Sequence, residues 1–504
     1  MTHGLFATLY GTNAPFALID SREWRDYVNG HWFGSTNMPL SRLTATITRL
    51  IPYRSFPIHF LDWQNKASSV AIERLNSLGY HNMTIHPTAA PVRFGAGFVK
   101  GEYVWSKAFG EVVAHTADLP EVTPAEYIES WQDALLFDVR PTAEYQLFTL
   151  PNSQSLPNSL LLANADALRN SGKMALLHCA GRTRSIIGAC TLKAAGYDGP
   201  YAVFRGGTQA WQLDGHTREH NAARLFASDH EDSATAERFM QRWHISFSRL
   251  TPAHLADFVA ANSTALRFDV SDDAATGQEM EQGIIKISGT NLIQQTDRSI
   301  ARYHVPVILF DHGSGSRAAF AAYWLGAMGF DVSVVYLDAP LAVAPAKPRA
   351  APSSPAQRQA IELKADQHLL LYDFRPSAAF RGGHIAGSHW KNISEMADMA
   401  PDRSAILVIC SDLATGIEIA DLLTRQGWQI DGFYVWQDSD FDPAMLETGG
   451  PDNPCDESSL FAGRHHGVLQ DVRDYLAWEE ELPAEIDQPL HQQWVNRLTS
   501  APAS

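Results

Sequence analysis

The stretch MALLHCAGRTRSIIGAC, residues 174–190, decides how this chain reads. An apolar run, Met174 to Leu177, stops at His178 and Cys179, and a short loop with one glycine and two arginines follows. Small and apolar residues from Ser185 onward then start a helix. A strand, a tight loop and a helix start leave backbone N–H groups without intrahelical partners pointing into the loop, which makes an anion cradle. A thiol at the first position of such a cradle is pushed toward the nucleophilic thiolate. From an ordinary pKa of about 8.5, roughly 3% is ionised at pH 7, and a drop of about two units makes that roughly three-quarters. Cys179 is therefore expected to be a nucleophile rather than a packed thiol.

Loop length narrows the chemistry. A cysteine phosphatase places five residues between its cysteine and an arginine, enough to surround a phosphoryl group. Here that arginine would be residue 185, which is serine, and Arg184 falls one position early. The tighter loop suits a single sulfur atom. The loop CAGRTR and its helix resemble the active-site loop of the rhodanese family of sulfurtransferases. LLFDVRPTAEY (135–145) is similar to the family's first signature and AGYDGPYAVFRGGTQAW (195–211) to its closing one.

The resemblance implies that Cys179 takes a sulfane sulfur from a small anionic donor, becomes a persulfide and passes the sulfur to a thiol or a protein acceptor. It implies that Ala180, Gly181, Arg182, Thr183, Arg184 and Ser185 surround that sulfur. The arginines Arg182 and Arg184 supply fixed charge for an anionic donor and tilt the choice toward thiosulfate. Asp138 and Arg140 are expected to form a structural pair that supports the loop. No cofactor and no metal is called for. Two other readings stand beside this one: a sulfur carrier or scaffold that does not turn over, and a cysteine phosphatase or arsenate reductase, which the short loop disfavours.

The chain repeats one plan. A strand ending in aspartate occurs four times, in FALIDSR (16–22), LLFDVR (135–140), LRFDVS (266–271) and LLLYDFR (369–375). A second apolar strand follows each, and its end places Leu61, Cys179, Asp311 and Cys410 at the cradle position. Strands alternating with helical stretches indicate α/β architecture with parallel sheets. The expected organisation is four tandem rhodanese-like domains, each a parallel sheet flanked by helices. Their bounds are 1–115, 116–225, 245–340 and 358–450, with a Pro/Ala-rich linker at 341–357 and a helical tail at 451–504.

Only the second copy carries the whole constellation. Leu61 and Asp311 cannot hold a sulfane sulfur, and the third copy has Ser271 where the others have arginine. Cys410 is a candidate second site, but its loop SDLAT offers an aspartate and no arginine, which works against thiolate. WSKAFGEVV (105–113) resembles connecting structure in multi-domain relatives. Cys190 is expected in the core, and His178 should point to the opposite face from Cys179. The tail run VLQDVRDYLAWEEEL (468–482) has the spacing of one amphipathic helix docked on a domain. His465-His466 and the glycine-rich GSGS of the third copy carry no further site, since neither has the partners that a metal or a P-loop requires.

Composition bounds the rest. At 504 residues with 45% hydrophobic content the chain is long enough for three to five cores. A formal net charge of −17 argues against nucleic acid and anionic membranes as partners. Four cysteines without CxxC pairing indicate neither a disulfide framework nor a zinc site. With no secretory leader evident at the N-terminus and no apolar run long enough for a span, the cytoplasm is the expected location.

Overall fold

The aspartate-ended strands Ala17–Asp20, Leu135–Asp138, Leu266–Asp269 and Leu370–Asp373 are each an inner strand of a parallel sheet. The computed structural model describes residues 4–63, 67–88, 97–226, 233–272, 276–344, 369–396, 399–401 and 404–500. In each sheet a short strand lies on one side of the aspartate-ended strand: Thr36–Asn37, Gln154–Ser155, Ile285–Ile287 or His389–Trp390. On the other side lies the second apolar strand: Ile58–Asp62, Ala175–His178, Val307–Asp311 or Ile406–Cys410. A further parallel strand follows it, Tyr201–Phe204 in the second sheet. The second sheet adds Glu121–Val122 at one edge, and the third adds Ser246–Leu250 and an antiparallel strand, Thr276–Glu279.

These strands read as unbroken apolar runs because both faces are covered. Leu176 and Leu177 are both fully buried although they point to opposite faces of the second sheet. The helices Leu161–Ser171 and Thr183–Ala194 supply part of that cover.

Register corrects one position. Asp138 pairs with His178, Asp269 with Phe310 and Asp373 with Ile409, so the next residues are Cys179, Asp311 and Cys410. In the first sheet Ile19 pairs with Phe60, which sets Leu61 beside Asp20 and makes Asp62, not Leu61, the counterpart of Cys179. The apolar run ends one residue before the ladder does, since side-chain polarity marks burial while backbone hydrogen bonds fix register. Most of the loop that follows, residues 64–66, lies outside the described residues.

The expected pair is present. Arg140 donates from Nε to Asp138 Oδ1 (2.9 Å), from Nη2 to Oδ2 (2.7 Å), and from its backbone N–H to Oδ1 (3.1 Å). Its Nη2 also bonds the Phe148 carbonyl, pinning the segment after the strand. Burial alone would raise the Asp138 carboxyl, but the charges of Arg140 and His178 and the Arg140 hydrogen bonds outweigh it and hold it at about 2. Asp20–Arg22 and Asp373–Arg375 repeat the geometry. In the third sheet the Ser271 hydroxyl donates to Asp269 instead.

One expectation about the connections changes. Residues 345–368 of the linker region lie outside the described residues, but Leu341 is buried against the third sheet and Val343 bridges Met280. The linker therefore does not begin at 341. The tail run 468–482 lies almost wholly in one helix, Leu469–Glu485, and a second helix, Gln488–Thr499, follows it. Both pack on the helix Val104–Ala117, and Trp494, fully buried, donates from Nε1 to the Met328 carbonyl. Among the described residues no helix is long and apolar enough to cross a membrane.

Replacing Arg140 with leucine strands a buried carboxylate and is expected to cost about 3–5 kcal/mol. The loss should appear as a lower denaturant midpoint for the transition that includes this sheet. Because Asp138 is held below its unfolded pKa of about 3.9, its contribution is intact above that pH and disappears as pH falls toward 2. Coincident wild-type and variant curves at pH 7 would refute the assignment.

Candidate active site

Cys179 follows the last residue of the strand Ala175–His178, and the helix Thr183–Ala194 begins two positions before Ser185. The turn is therefore only Cys179 to Arg182. Among the described residues no acceptor engages the backbone N–H groups of Gly181, Arg182, Thr183, Arg184 or Ser185. Those amides are the loop's supply of anion donors. Cys179 is 2% exposed, with its Sγ 3.7 Å from Ser185 Oγ, and the Ser185 hydroxyl donates to the Arg182 carbonyl (2.8 Å).

The segment Arg205–Trp211 grips the turn from behind. Thr208 N–H donates to the Cys179 carbonyl and Gln209 N–H to the Ala180 carbonyl, both at 3.0 Å. Gly207, at φ +53°, passes so close that an added Cβ would stand 2.2 Å from the Cys179 carbonyl oxygen. Only glycine fits there. His178 is turned away from the turn's open side, its Nε2 2.7 Å from Ser153 Oγ, and burial pushes it down to about 4. It is a neutral, structural histidine.

The two arginines are not the free charges that the sequence led us to expect. Arg182 donates from Nε and Nη2 to Glu111 (3.0 and 3.1 Å), and its Nη1 lies 2.9 Å from Glu480. Arg184 donates from Nη1 to both oxygens of Glu144 (2.7 and 2.8 Å) and to Gln294 Oε1 (2.9 Å). Although burial opposes it, Arg184 is held above its ordinary pKa by Glu144 and by Cys179. Arg184 is thus the arginine whose charge reaches the sulfur, whereas Arg182 ties the loop to neighbouring helices.

Those neighbours come from far along the chain. The stretch WSKAFGEVV, expected as connecting structure rather than as part of the site, forms part of the site's wall. It lies in the helix Val104–Ala117, where Glu111 is fully buried and Gly110 lies against the Thr183 methyl. The tail helix brings Glu479, 2% exposed, which accepts from the Thr183 hydroxyl (2.6 Å) and from Tyr475 OH (3.4 Å). Sequence reasoning missed Glu111, Glu144, Tyr475, Glu479 and Glu480. A carboxylate inside the apolar run of 104–113 was the one signal available, because a buried charge there demands a cation.

The remaining thiols are packed. Cys410 is fully buried, donates to the Tyr434 carbonyl (3.2 Å), and is pushed up to about 12 by burial, with the Asp412 charge adding to it. Asp412 itself caps the helix Leu413–Arg425. Cys190 and Cys455 are likewise raised by burial to about 12. In the third sheet Asp311 accepts from the Ala318 backbone N–H (3.2 Å). Among the described residues no group of three or more His, Cys, Asp or Glu is arranged to hold a metal ion.

Residues 123–214 match the family model of the rhodanese-like domain. A crystal structure of thiosulfate sulfurtransferase from Pseudomonas aeruginosa superposes with a TM-score of 0.82 at 26% identity, covering 97% of this chain and 98% of that one. The 3-mercaptopyruvate sulfotransferase SseA from Escherichia coli is 17% identical over 44% of this chain and 98% of its own, at a TM-score of 0.20 that carries no argument. No curated protein matches at a significant level. The domain match and the full-length superposition support a rhodanese-family sulfurtransferase.

In the native protein at pH 8, iodoacetamide is expected to leave Cys190, Cys410 and Cys455 unmodified, because about one thiol in ten thousand is ionised at a pKa near 12. Peptide mapping reads this directly. Modification of Cys410 as fast as Cys179 would contradict the packing described.

Proposed function

We propose that the protein is a sulfurtransferase that moves a sulfane sulfur from thiosulfate, or a donor like it, through a persulfide on Cys179 to a thiol acceptor. The observation that carries this reading is the single-turn cradle at Cys179, where the amides from Gly181 to Ser185 are unpartnered among the described residues and the charge of Arg184 acts on the sulfur. The superposition on a thiosulfate sulfurtransferase along nearly its whole length supports the choice of donor.

In the first half-reaction the Cys179 thiolate attacks the outer sulfur of thiosulfate. A sulfur–sulfur bond forms to Cys179, the bond to the sulfonate sulfur breaks, and sulfite leaves with the electron pair. In the second half-reaction an acceptor thiolate, or cyanide in an assay, attacks the terminal sulfur, and the pair returns to Cys179. The amides and the helix start stabilise negative charge on the terminal sulfur, an effect of about 0.3–2 kcal/mol from the helix end alone. Asp138 and Arg140 hold the strand end and take no part in the chemistry.

The reading extends to the rest of the chain. The four sheets are taken as four rhodanese-like units with the bounds expected from sequence, the third unit's linker beginning after residue 344. The first and third units have carboxylates, Asp62 and Asp311, at the sulfur position and act as structure. Cys410, packed and raised, is assigned no turnover. A phosphatase is disfavoured because the helix start at Thr183 leaves no room for a phosphoryl-sized loop.

Cys179→Ser is expected to abolish thiosulfate:cyanide sulfur transfer, while Cys410→Ser retains it within about two-fold. Mass spectrometry after exposure to thiosulfate should show one added sulfur, about 32 Da, on the Cys179 peptide. The adduct without turnover would favour a carrier, and wild-type turnover in Cys179→Ser would sink the proposal.

A further inference from the structure

We propose that a cavity sharing the Tyr475 wall with the Cys179 turn is a binding site for a small organic carboxylate, held by the ammonium of Lys107. The site goes beyond sulfur transfer and does not depend on it.

Three parts of the chain enclose about 240 Å³. The helix Trp24–Asn29 brings Trp24 and Val28, the helix Val104–Ala117 brings Lys107, and the tail brings Phe461, Arg464, Tyr475 and Trp478. An apolar cavity of ~150 Å³ takes a benzene ring, so this one has room for a ring and a charged head. Tyr475 is the shared wall, since a Cβ added at Gly181 would stand 3.2 Å from its Cε1.

Lys107 marks the cavity as a site. It is 6% exposed, and among the described residues its Nζ makes no hydrogen bond and no ion pair. Its near neighbours are ring faces, Trp478 at 4.6 Å and Tyr475 at 4.9 Å. Those faces attract the charge, but they give its three N–H donors no oxygen. The charges of Glu102, Glu479 and Asp297 act on Lys107 from farther off. Each of these carboxylates is engaged elsewhere: Glu102 with Arg464 (3.4 Å), Glu479 with the Thr183 hydroxyl, and Asp297 with the Trp105 backbone. Burial lowers Lys107 to about 8, which leaves it protonated at pH 7. A buried ammonium without an oxygen partner is costly, and an entering carboxylate supplies that oxygen.

Arg464 adds a second cation to the wall, its guanidinium 4.6 Å over the Tyr475 ring. Among the lysine, arginine and carboxylate side chains of the lining, two cations face one anion, Glu102, which suits a monoanion. The aromatic walls favour an apolar body, so the ligand class is a carboxylate on a ring or a short hydrocarbon chain.

Calorimetric titration of the full-length protein with benzoate at pH 7 tests the site. Saturable one-to-one binding in the millimolar range or tighter is expected. Benzamide, the neutral counterpart of the same shape, is expected to bind at least about ten-fold more weakly. Lys107→Met keeps a long side chain, removes the charge and should weaken benzoate by a similar factor. Ala462→Leu adds bulk to the cavity wall without altering Lys107. It should also weaken benzoate, which keeps the site testable if the first variant does not fold. Cys179→Ser should bind benzoate as the wild type does, so loss of sulfur transfer and loss of this site are separate results. No saturable benzoate binding, benzamide bound equally well, or full affinity in either folded cavity variant overturns the proposal.

Discussion

A carboxylate buried at the end of a central strand must be given hydrogen-bond donors, and the answer to that demand organises this molecule. Asp138 finds Arg140 two residues on, in a doubly hydrogen-bonded pair whose Nη2 also holds the Phe148 carbonyl. The pair closes the strand end, orients His178 beside it through register, and so fixes where the next residue, Cys179, leaves the sheet. Where the arginine is replaced by Ser271, the aspartate is satisfied by a hydroxyl and a backbone N–H, and no sulfur-bearing residue follows at Asp311. Pairing of this kind gives little net stability over apolar packing, but breaking it is costly. Its value here is geometric.

The turn that carries Cys179 is held by elements that the chain brings from far apart. Amides of Thr208 and Gln209 grip its carbonyls from one side. The helix Val104–Ala117 supplies Glu111, and the C-terminal helix supplies Glu479 and Glu480, nearly 300 residues beyond the loop. The turn is thus clamped at Arg182 and Thr183, while the amides of the helix start stay unengaged. A cradle of donors that must keep its shape without a ligand needs such outside support, because its own amides contribute nothing to its rigidity until an anion arrives.

The four sheets show how the same plan diverges. All keep the aspartate-ended strand beside a second apolar strand, yet the residue at the cradle position is Asp62, Cys179, Asp311 or Cys410. Cys410 occupies the same position as Cys179 in different surroundings. Its thiol packs under the helix Leu413–Arg425, donates to a carbonyl and sits near Asp412, all of which favour the protonated form.

The α/β architecture, the fourfold recurrence of the aspartate-ended strand, the Asp138–Arg140 pair and the compact turn at Cys179 were all legible in the amino-acid order. Each of these is local: an apolar run, a spacing of two residues, or a glycine before a helix start, legible because its cause lies within a few residues. The exact register of the first copy escaped, since polarity marks burial and not which backbone groups pair. The fate of Arg182 and Arg184 escaped for a deeper reason. Whether a guanidinium is free or neutralised depends on which carboxylates the fold carries to it, and Glu111 and Glu480 reach Arg182 only through the packing of two distant helices. Electrostatics at close range is a property of three-dimensional neighbours, so tertiary structure alone could turn an apparently basic loop into one ringed by acids.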